Sequence, residues 1–130
     1  MKALSIARCR SEKKLLALIN EIFPSATPGF GENDVYFLAT LDGEDAGFLH
    51  LILHSKGVLL QGIGVREKFR KKGIGGGLMD TALEFAQKEN ADILLKVKPS
   101  NTDALNLYAK KGFSIRKVTD AYVLHRKRCN

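Results

Sequence analysis

Cysteine is almost missing from this chain of 130 residues: there are only Cys9 and Cys129, near opposite ends and in no metal or redox spacing. A fold built on disulfides or zinc is therefore not expected, and two free thiols in a reducing, cytoplasmic compartment are. No apolar run approaches the ~20 residues of a membrane span. The opening stretch, 1-MKALSIARCR-10, has no apolar core long enough for a secretory signal. Repeats, low-complexity tracts and linkers are also lacking, so residues 1–130 are expected to form a single domain. Acidic residues are the other shortage: 14 of them face 21 Lys and Arg, a formal net charge of +7. That surplus favours an anionic ligand such as nucleic acid, a membrane surface or a polyphosphate cofactor.

What is present begins with the distribution of that charge. Five cationic residues and one acidic residue lie between Arg66 and Lys72, and Gly73, Gly75, Gly76 and Gly77 follow directly. Glycine is a poor helix former, so a stretch that needed only a helix would not hold four. A glycine-rich turn entering a helix does present backbone N–H groups to a phosphate. The second basic cluster, Arg126 to Arg128, reads as a solvated tail.

Periodicity places the turn. A short strand over 2–8 precedes a helix capped by Ser11, with Leu15, Ile19 and Ile22 on one face and Pro24 closing it. Residues 24–33 read as a loop. Strands follow at about 35–41 and 45–54, joined by Asp42-Gly43, and Lys56-Gly57 turns into the strand 58–65. After the glycines comes a helix with Leu78, Ala82 and Phe85 on one face and an Asp80, Glu84, Lys88 ladder on another. A strand at 92–97 leads to a short helix capped by Asn101 or Ser100. Gly112 is its left-handed C-cap, from which Phe113 folds back. Strands near 113–118 and 121–127 end the pattern. The order β-α-β-β-β-α-β-α-β-β implies an α/β fold with a mixed sheet of six or seven strands and helices for both faces.

Three glycine motifs compete. A Walker A loop needs Lys-Ser/Thr after its last glycine, where Leu78 and Met79 stand. The dinucleotide fingerprint needs glycine or alanine where Leu78 stands, and an early parallel βαβ unit. The pattern R-x-x-G-x-G is satisfied by Arg70, Gly73 and Gly75. With it, 63-IGVREKFRKKGIGGGLM-79 resembles the acetyl-CoA motif of the GNAT superfamily of N-acetyltransferases. The segment 101-NTDALNLYAKKGF-113 resembles that family's second signature, with Asn101, Ala104, Leu107, Tyr108, Gly112 and Phe113 in place. The likeness extends over nearly the whole chain, least in residues 24–34.

The resemblance implies an acetyl-CoA-dependent N-acetyltransferase in which a primary amine, on a peptide or a small molecule, attacks the thioester directly. It implies that Arg70, Lys71, Lys72, Gly73, Ile74, Gly75 and Gly76 hold the pyrophosphate, and that the main chain of Ile63 and Val65 pairs with the pantetheine arm. Asn101 would touch that arm, the Ile63 N–H would receive the oxyanion, and Tyr108 would be the general acid. Many family members carry a Glu base on the fourth strand, but 58-VLLQGIGV-65 has no carboxylate. A Lys56-Gly57 turn would pair His54 with Leu59 and His50 with Ile63, so His54, or else His50, is the candidate base. No third ligand accompanies the two histidines, so no metal is expected. Phe23 and Phe30 are candidate walls for the acceptor, with Glu32 and Asp34 as partners for a cationic amine and 118-VTDAY-122 as a short neighbouring hairpin. Two rivals stand beside this reading: a basic nucleic-acid-binding module, and a catalytically silent GNAT-like domain that binds acetyl-CoA. No membrane or nucleic-acid partner is expected, and self-association into a homodimer stays open.

Overall fold

The computed structural model describes residues 3–118 and 122–126. The tip of the last hairpin, Lys127, Arg128 and Cys129 lie outside the described residues. Strand β1 (Leu4–Arg8) is followed by helix α1 (Glu12–Ile22), whose first turn is capped by Ser11 accepting from the Lys14 N–H. Strands β2 (Asp34–Leu41), β3 (Glu44–His54) and β4 (Gly57–Val65) form an antiparallel meander. Helix α2 (Ile74–Lys88), strand β5 (Ile93–Val97), helix α3 (Thr102–Lys110) and strands β6 (Ser114–Val118) and β7 (Tyr122–Arg126) complete the chain. All the strands join one seven-stranded sheet in the order β1-β2-β3-β4-β5-β7-β6. Its one parallel pair is β4 with β5, so the sheet is mixed as expected.

Alternation along the central strands divides the core. Val35, Ala39, Leu49 and Leu51 meet Leu78, Met79 and Ala82 of α2 on one face. Tyr36, Leu38 and Phe48 meet Leu15, Leu18 and Ile19 of α1 on the other. Both helices obey the spacing read from the sequence, although the apolar stripe of α2 also includes Ile74 and Ala86. The acidic end of its polar face differs: Asp80 pairs with Lys111 beyond α3, at 2.8 Å, and so ties α2 to α3.

Two local features differ from expectation. The β3–β4 turn is Ser55-Lys56, closed by His54 opposite Gly57, where Lys56-Gly57 was expected. Beyond Leu51 opposite Leu60, a bulge inserts Gln61 into β4, so His50 faces Gly62 and Leu49 faces Ile63. An inserted residue exchanges the faces of everything after it. Gly62 and Gly64 are thereby brought to the α1 face, beside Phe48 and His50, and Ile63 and Val65 to the α2 face.

Candidate active site

The parallel pairing of β4 and β5 covers only Val58 with Ile93 and Leu59 with Leu94. Past Leu59 the two strands part. β5 continues against β7, whereas the β4 main chain from Leu60 to Val65 pairs with β3 alone. Backbone polar groups require partners, so this half-paired segment is open to an extended ligand. Ile63 and Val65, the residues expected to pair with a pantetheine arm, lie in it.

The glycine turn stands just beyond β4. Lys71 (φ 62°) and Gly73 (φ 80°) are both left-handed, and Gly73 is the N-cap of α2. The first helical hydrogen bond runs from the Gly77 N–H to the Gly73 carbonyl, which leaves the N–H groups of Ile74, Gly75 and Gly76 without helical partners. A Cβ built on Gly73 or Gly76 would meet nothing within 4 Å, and one on Gly75 only Val65 Cγ2 at 4.0 Å. These glycines are therefore not required by packing against the protein itself. Gly77 is the exception, since its Cβ would lie 3.1 Å from Ile6 Cδ1. The open surface over three glycines at a helix N-terminus fits a polyphosphate.

The neighbouring cations divide. Arg66 pairs with Glu21 at 2.6 Å, and Lys68 with Glu44 at 2.6 Å. These two tie β4 to α1 and β3 and are not free for a nucleic-acid backbone. Arg70 donates to the Val65 carbonyl at 3.3 Å, at the open end of β4, and Lys71 is exposed. The cations nearest the glycines are thus Arg70, Lys71 and Lys72.

On the α1 face a cleft of about 910 Å³ lies where β4 and β5 part. Apolar walls come from Ile19, Ile22, Phe23, Phe48 and Ile52, and the loop after α1 closes one side. Ile63, Gly62, Lys96 and Tyr108 line it too. Tyr108 is carried on α3, whose N-terminus Asn101, rather than Ser100, caps by accepting from the Ala104 N–H. Gly112 (φ 92°) ends that helix as expected, and Phe113 folds back so that its N–H bonds the Tyr108 carbonyl. Tyr108 is buried to 8% exposure, and desolvation raises its phenol pKa, which keeps it protonated at neutral pH. Its hydroxyl hydrogen bonds to none of the described residues. Tyr108 and Ile63, expected as acid and oxyanion donor, are therefore brought to one cleft.

His54 is not brought there. It is exposed at the hairpin end, where its Nδ1 accepts from the Lys56 N–H at 3.2 Å, because the turn falls one residue earlier than expected. His50, the second histidine considered, does line the cleft and is 5% exposed. Its ring stacks on Tyr36 with centroids 4.0 Å apart, and Tyr36 stacks on Phe30 in turn. His50 Nε2 lies 2.6 Å from Asp34 Oδ1, while Asp34 Oδ2 accepts from the Gly31 N–H at 2.7 Å. Burial lowers the His50 pKa, opposed by the Asp34 hydrogen bond and charge. Burial, with the Asp34 charge second, pushes Tyr36 up to about 12.

The acceptor-side expectations change accordingly. Phe23 is a cleft wall, but Phe30 packs on Tyr36, and the Asp34 carboxylate is engaged by His50. Glu32 lies in a smaller hollow with Arg8 and Arg10, outside the cleft. The Asp34–His50 pair and the Tyr36 stack under it were not anticipated. Among the described residues no group of three His, Cys, Asp or Glu could hold a metal.

The sequence pattern of the acetyltransferase (GNAT) family matches residues 7–113, which contain both the glycine turn and Tyr108. The chain belongs to this family. An N-alpha-acetyltransferase of Sulfurisphaera tokodaii is 37% identical over 103 residues, covering 67% of this chain and 60% of that protein. Streptothricin acetyltransferase A of Bacillus subtilis is 30% identical over 89 residues, covering 67% and 51%. The chain thus spans only about half to three-fifths of the length of these two family relatives. Among solved structures, a Bacillus subtilis acetyltransferase in complex with CoA superposes with a TM-score of 0.84 at 24% identity, covering 98% of this chain and 100% of that one. Arabidopsis thaliana Naa50, in complex with the bisubstrate analogue CoA-Ac-MVNAL, gives 0.80 at 24%, covering 95% and 98%. At these identities the structures show the GNAT fold.

Proposed function

We propose that this chain is an acetyl-CoA-dependent N-acetyltransferase in which a primary amine attacks the thioester directly. The observation that carries the reading is that Tyr108 and Ile63 line one cleft at the place where β4 and β5 part. In this reading the N–H groups around Ile74, Gly75 and Gly76 hold the pyrophosphate, and Arg70, Lys71 and Lys72 add longer-range attraction. The half-paired main chain of Ile63 and Val65 receives the pantetheine arm. Asn101 holds α3, and with it Tyr108, beside that arm. Solved structures with this fold that carry CoA support the choice of donor.

Three tasks follow. The Ile63 N–H stabilises the oxyanion as the amine adds. Tyr108, kept protonated by its desolvated setting, gives its proton to the departing thiolate. The acceptor must also lose protons, and its body must suit walls made of Ile19, Ile22, Phe23, Phe48 and Ile52. We assign as acceptor an α-amine attached to an apolar residue or group. The N-alpha-acetyltransferase relative supports this choice, whereas the streptothricin acetyltransferase is the counterpart for a small-molecule amine.

Calorimetric titration with acetyl-CoA tests the donor site. The expected result is saturable binding by the native chain and none by Gly75→Glu with an unchanged fold. Undiminished binding by that variant would place the donor elsewhere. Thiol release with peptides bearing a free N-terminus then tests the transfer.

A further inference from the structure

Among the described residues the cleft holds one carboxylate and one imidazole, and they are bonded to each other. Nε2 of His50 faces the Asp34 carboxylate, an acceptor, so in the neutral ring Nε2–H donates to Oδ1 and the basic electron pair lies on Nδ1. Nδ1 has no hydrogen-bond partner among the described residues. His50 itself lines the cleft. The bulge at Gln61 sets Gly62 directly opposite His50, and a Cβ there would come within 4.0 Å of the His50 Cβ. The ring is held against Tyr36, whose hydroxyl donates to the Gly29 carbonyl at 2.7 Å. His50 is thus fixed in tautomer and in rotation.

We propose that His50 is the proton acceptor for the incoming ammonium group, with Asp34 as its positioning residue. The proposal rests on the acetyl-transfer reading above. One proton passes from R–NH3+ to Nδ1, and the Asp34 carboxylate stabilises the imidazolium. The freed electron pair forms the C–N bond at the thioester carbon, and the C–S bond then breaks. The thiolate takes the Tyr108 proton. The second nitrogen proton leaves as the amide forms and restores the phenol through solvent, and His50 releases its proton to solvent. The balance is R–NH3+ plus acetyl-CoA giving the amide, CoA–SH and one H+.

Deprotonation restricts the acceptor. Whatever the base, an α-ammonium at 7.7–8.0 gives up its proton more readily than a lysine side chain at 10.4, by about 2.5 pKa units. Proton transfer to His50 is therefore at least about 100-fold less favourable from lysine. Among the described residues, the titratable or charged groups against the ring are Asp34 and Tyr36 of β2, and Lys96 of β5 and Tyr108 of α3 share its cleft. Among the described residues, α1 lends the cleft only Ile19 and Ile22, and β4 lends it Leu60, Gln61, Gly62 and Ile63, none of them charged.

The test compares the native chain, His50→Gln and Asp34→Asn between pH 5.5 and 9.5. It follows thiol release with two peptides, one with a free N-terminus and no lysine, the other N-blocked with one lysine. The native chain should prefer the first by ~100-fold or more, with an acidic limb in kcat/KM below the ordinary imidazole range, since burial lowers the His50 pKa. His50→Gln should bind acetyl-CoA normally and lose ~10²–10⁴-fold in kcat at pH 7. Its rate should then rise tenfold per pH unit until the amine's own pKa is reached. Asp34→Asn, nearly isosteric, should lose less and move the acidic limb to lower pH, together with the His50 ring titration seen by NMR. If His50→Gln is poorly folded, this second variant decides alone: an unmoved limb and unmoved ring titration overturn the proposal. An active native chain whose His50→Gln form keeps its rate and limb also overturns it, while acetyl transfer stands. A native chain that binds acetyl-CoA but acetylates neither peptide nor any small amine overturns the transfer reading and this one with it.

Discussion

Gly47 of β3 lies diagonally across from Gly64 of β4, so close that a Cβ on Gly47 would stand 2.7 Å from the Gly64 carbonyl oxygen. Leu78 Cδ1 would lie at 3.3 Å as well, so α2 seals the same spot. The nearer obstacle is backbone in the middle of the sheet and cannot swing away. Gly47→Ala should therefore destabilise the protein by about 1–3 kcal/mol, the usual cost of overpacking, or somewhat more. Chemical denaturation should show a lower midpoint with an unchanged slope. A midpoint within error of the native chain would mean that the ladder relaxes at this place.

Gly76 provides the opposite case. It is in the first turn of α2, and a Cβ there would meet nothing within 4 Å. Gly76→Ala should raise stability by up to about 1 kcal/mol through helix propensity. The same methyl would stand where we place the pyrophosphate, so acetyl-CoA affinity should fall by at least ~10-fold. Stability and affinity moving in opposite directions would be hard to explain by folding. Higher stability with undiminished binding would instead remove Gly76 from the donor site.

The order of elements, both helix caps, the left-handed Gly112 and the two GNAT-like motifs are legible in the sequence because each depends on a few neighbouring residues. The partner of His50 is not. A hairpin closed by Asp42-Gly43 with strict pairing would put Val35 opposite His50, since Leu41 faces Glu44. An irregularity between Ala39 and Thr40 shifts the ladder by one residue and brings Tyr36 there instead. The insertion of Gln61 repeats the effect between β3 and β4. Each bulge is stabilised by packing between distant strands, and no local residue pattern announces it. The β3–β4 turn falls one residue earlier than expected, and His54, the expected base, stands exposed at the hairpin end outside the cleft. The half-paired stretch of β4 was anticipated through the family resemblance, and its physical basis, the early parting from β5, appears only in three dimensions.

Tyr36 makes the protein sensitive to alkali. Its pKa is pushed up to about 12, against 10.0 for an ordinary tyrosine, by burial and by the Asp34 charge. Between these values the unfolded chain has lost the phenolic proton while the folded chain keeps it. The associated stability is complete below pH 10 and is lost as pH rises to about 12, to an extent of order 2 kcal/mol. Tyr36→Phe should flatten this dependence above pH 10, at the cost of about 1 kcal/mol at neutral pH for the lost bond to Gly29. Stability measured by urea titration from pH 8 to 11.5 checks it. An equally steep alkaline decline in the variant would assign the effect to lysines.

Tyr108→Phe separates fold from chemistry. The ring packs on Phe113 at 5.7 Å between centroids, and that contact survives the substitution. The hydroxyl has no partner among the described residues, so its removal orphans no buried group and should change stability by less than about 0.5 kcal/mol. Acetyl-CoA binding should persist. Turnover should fall by about 10²-fold, because the thiolate then departs without a positioned acid. The raised phenol pKa has a second consequence: the native chain, if it acts as proposed, should show no alkaline loss of kcat from this group below pH 10. Replacing acetyl-CoA by an acetyl thioester with a more acidic thiol gives the decisive comparison. A good leaving group needs little protonation, so it should restore much of the variant's rate if Tyr108 serves as the acid. An equal deficit with both donors would assign Tyr108 to positioning the ligand instead.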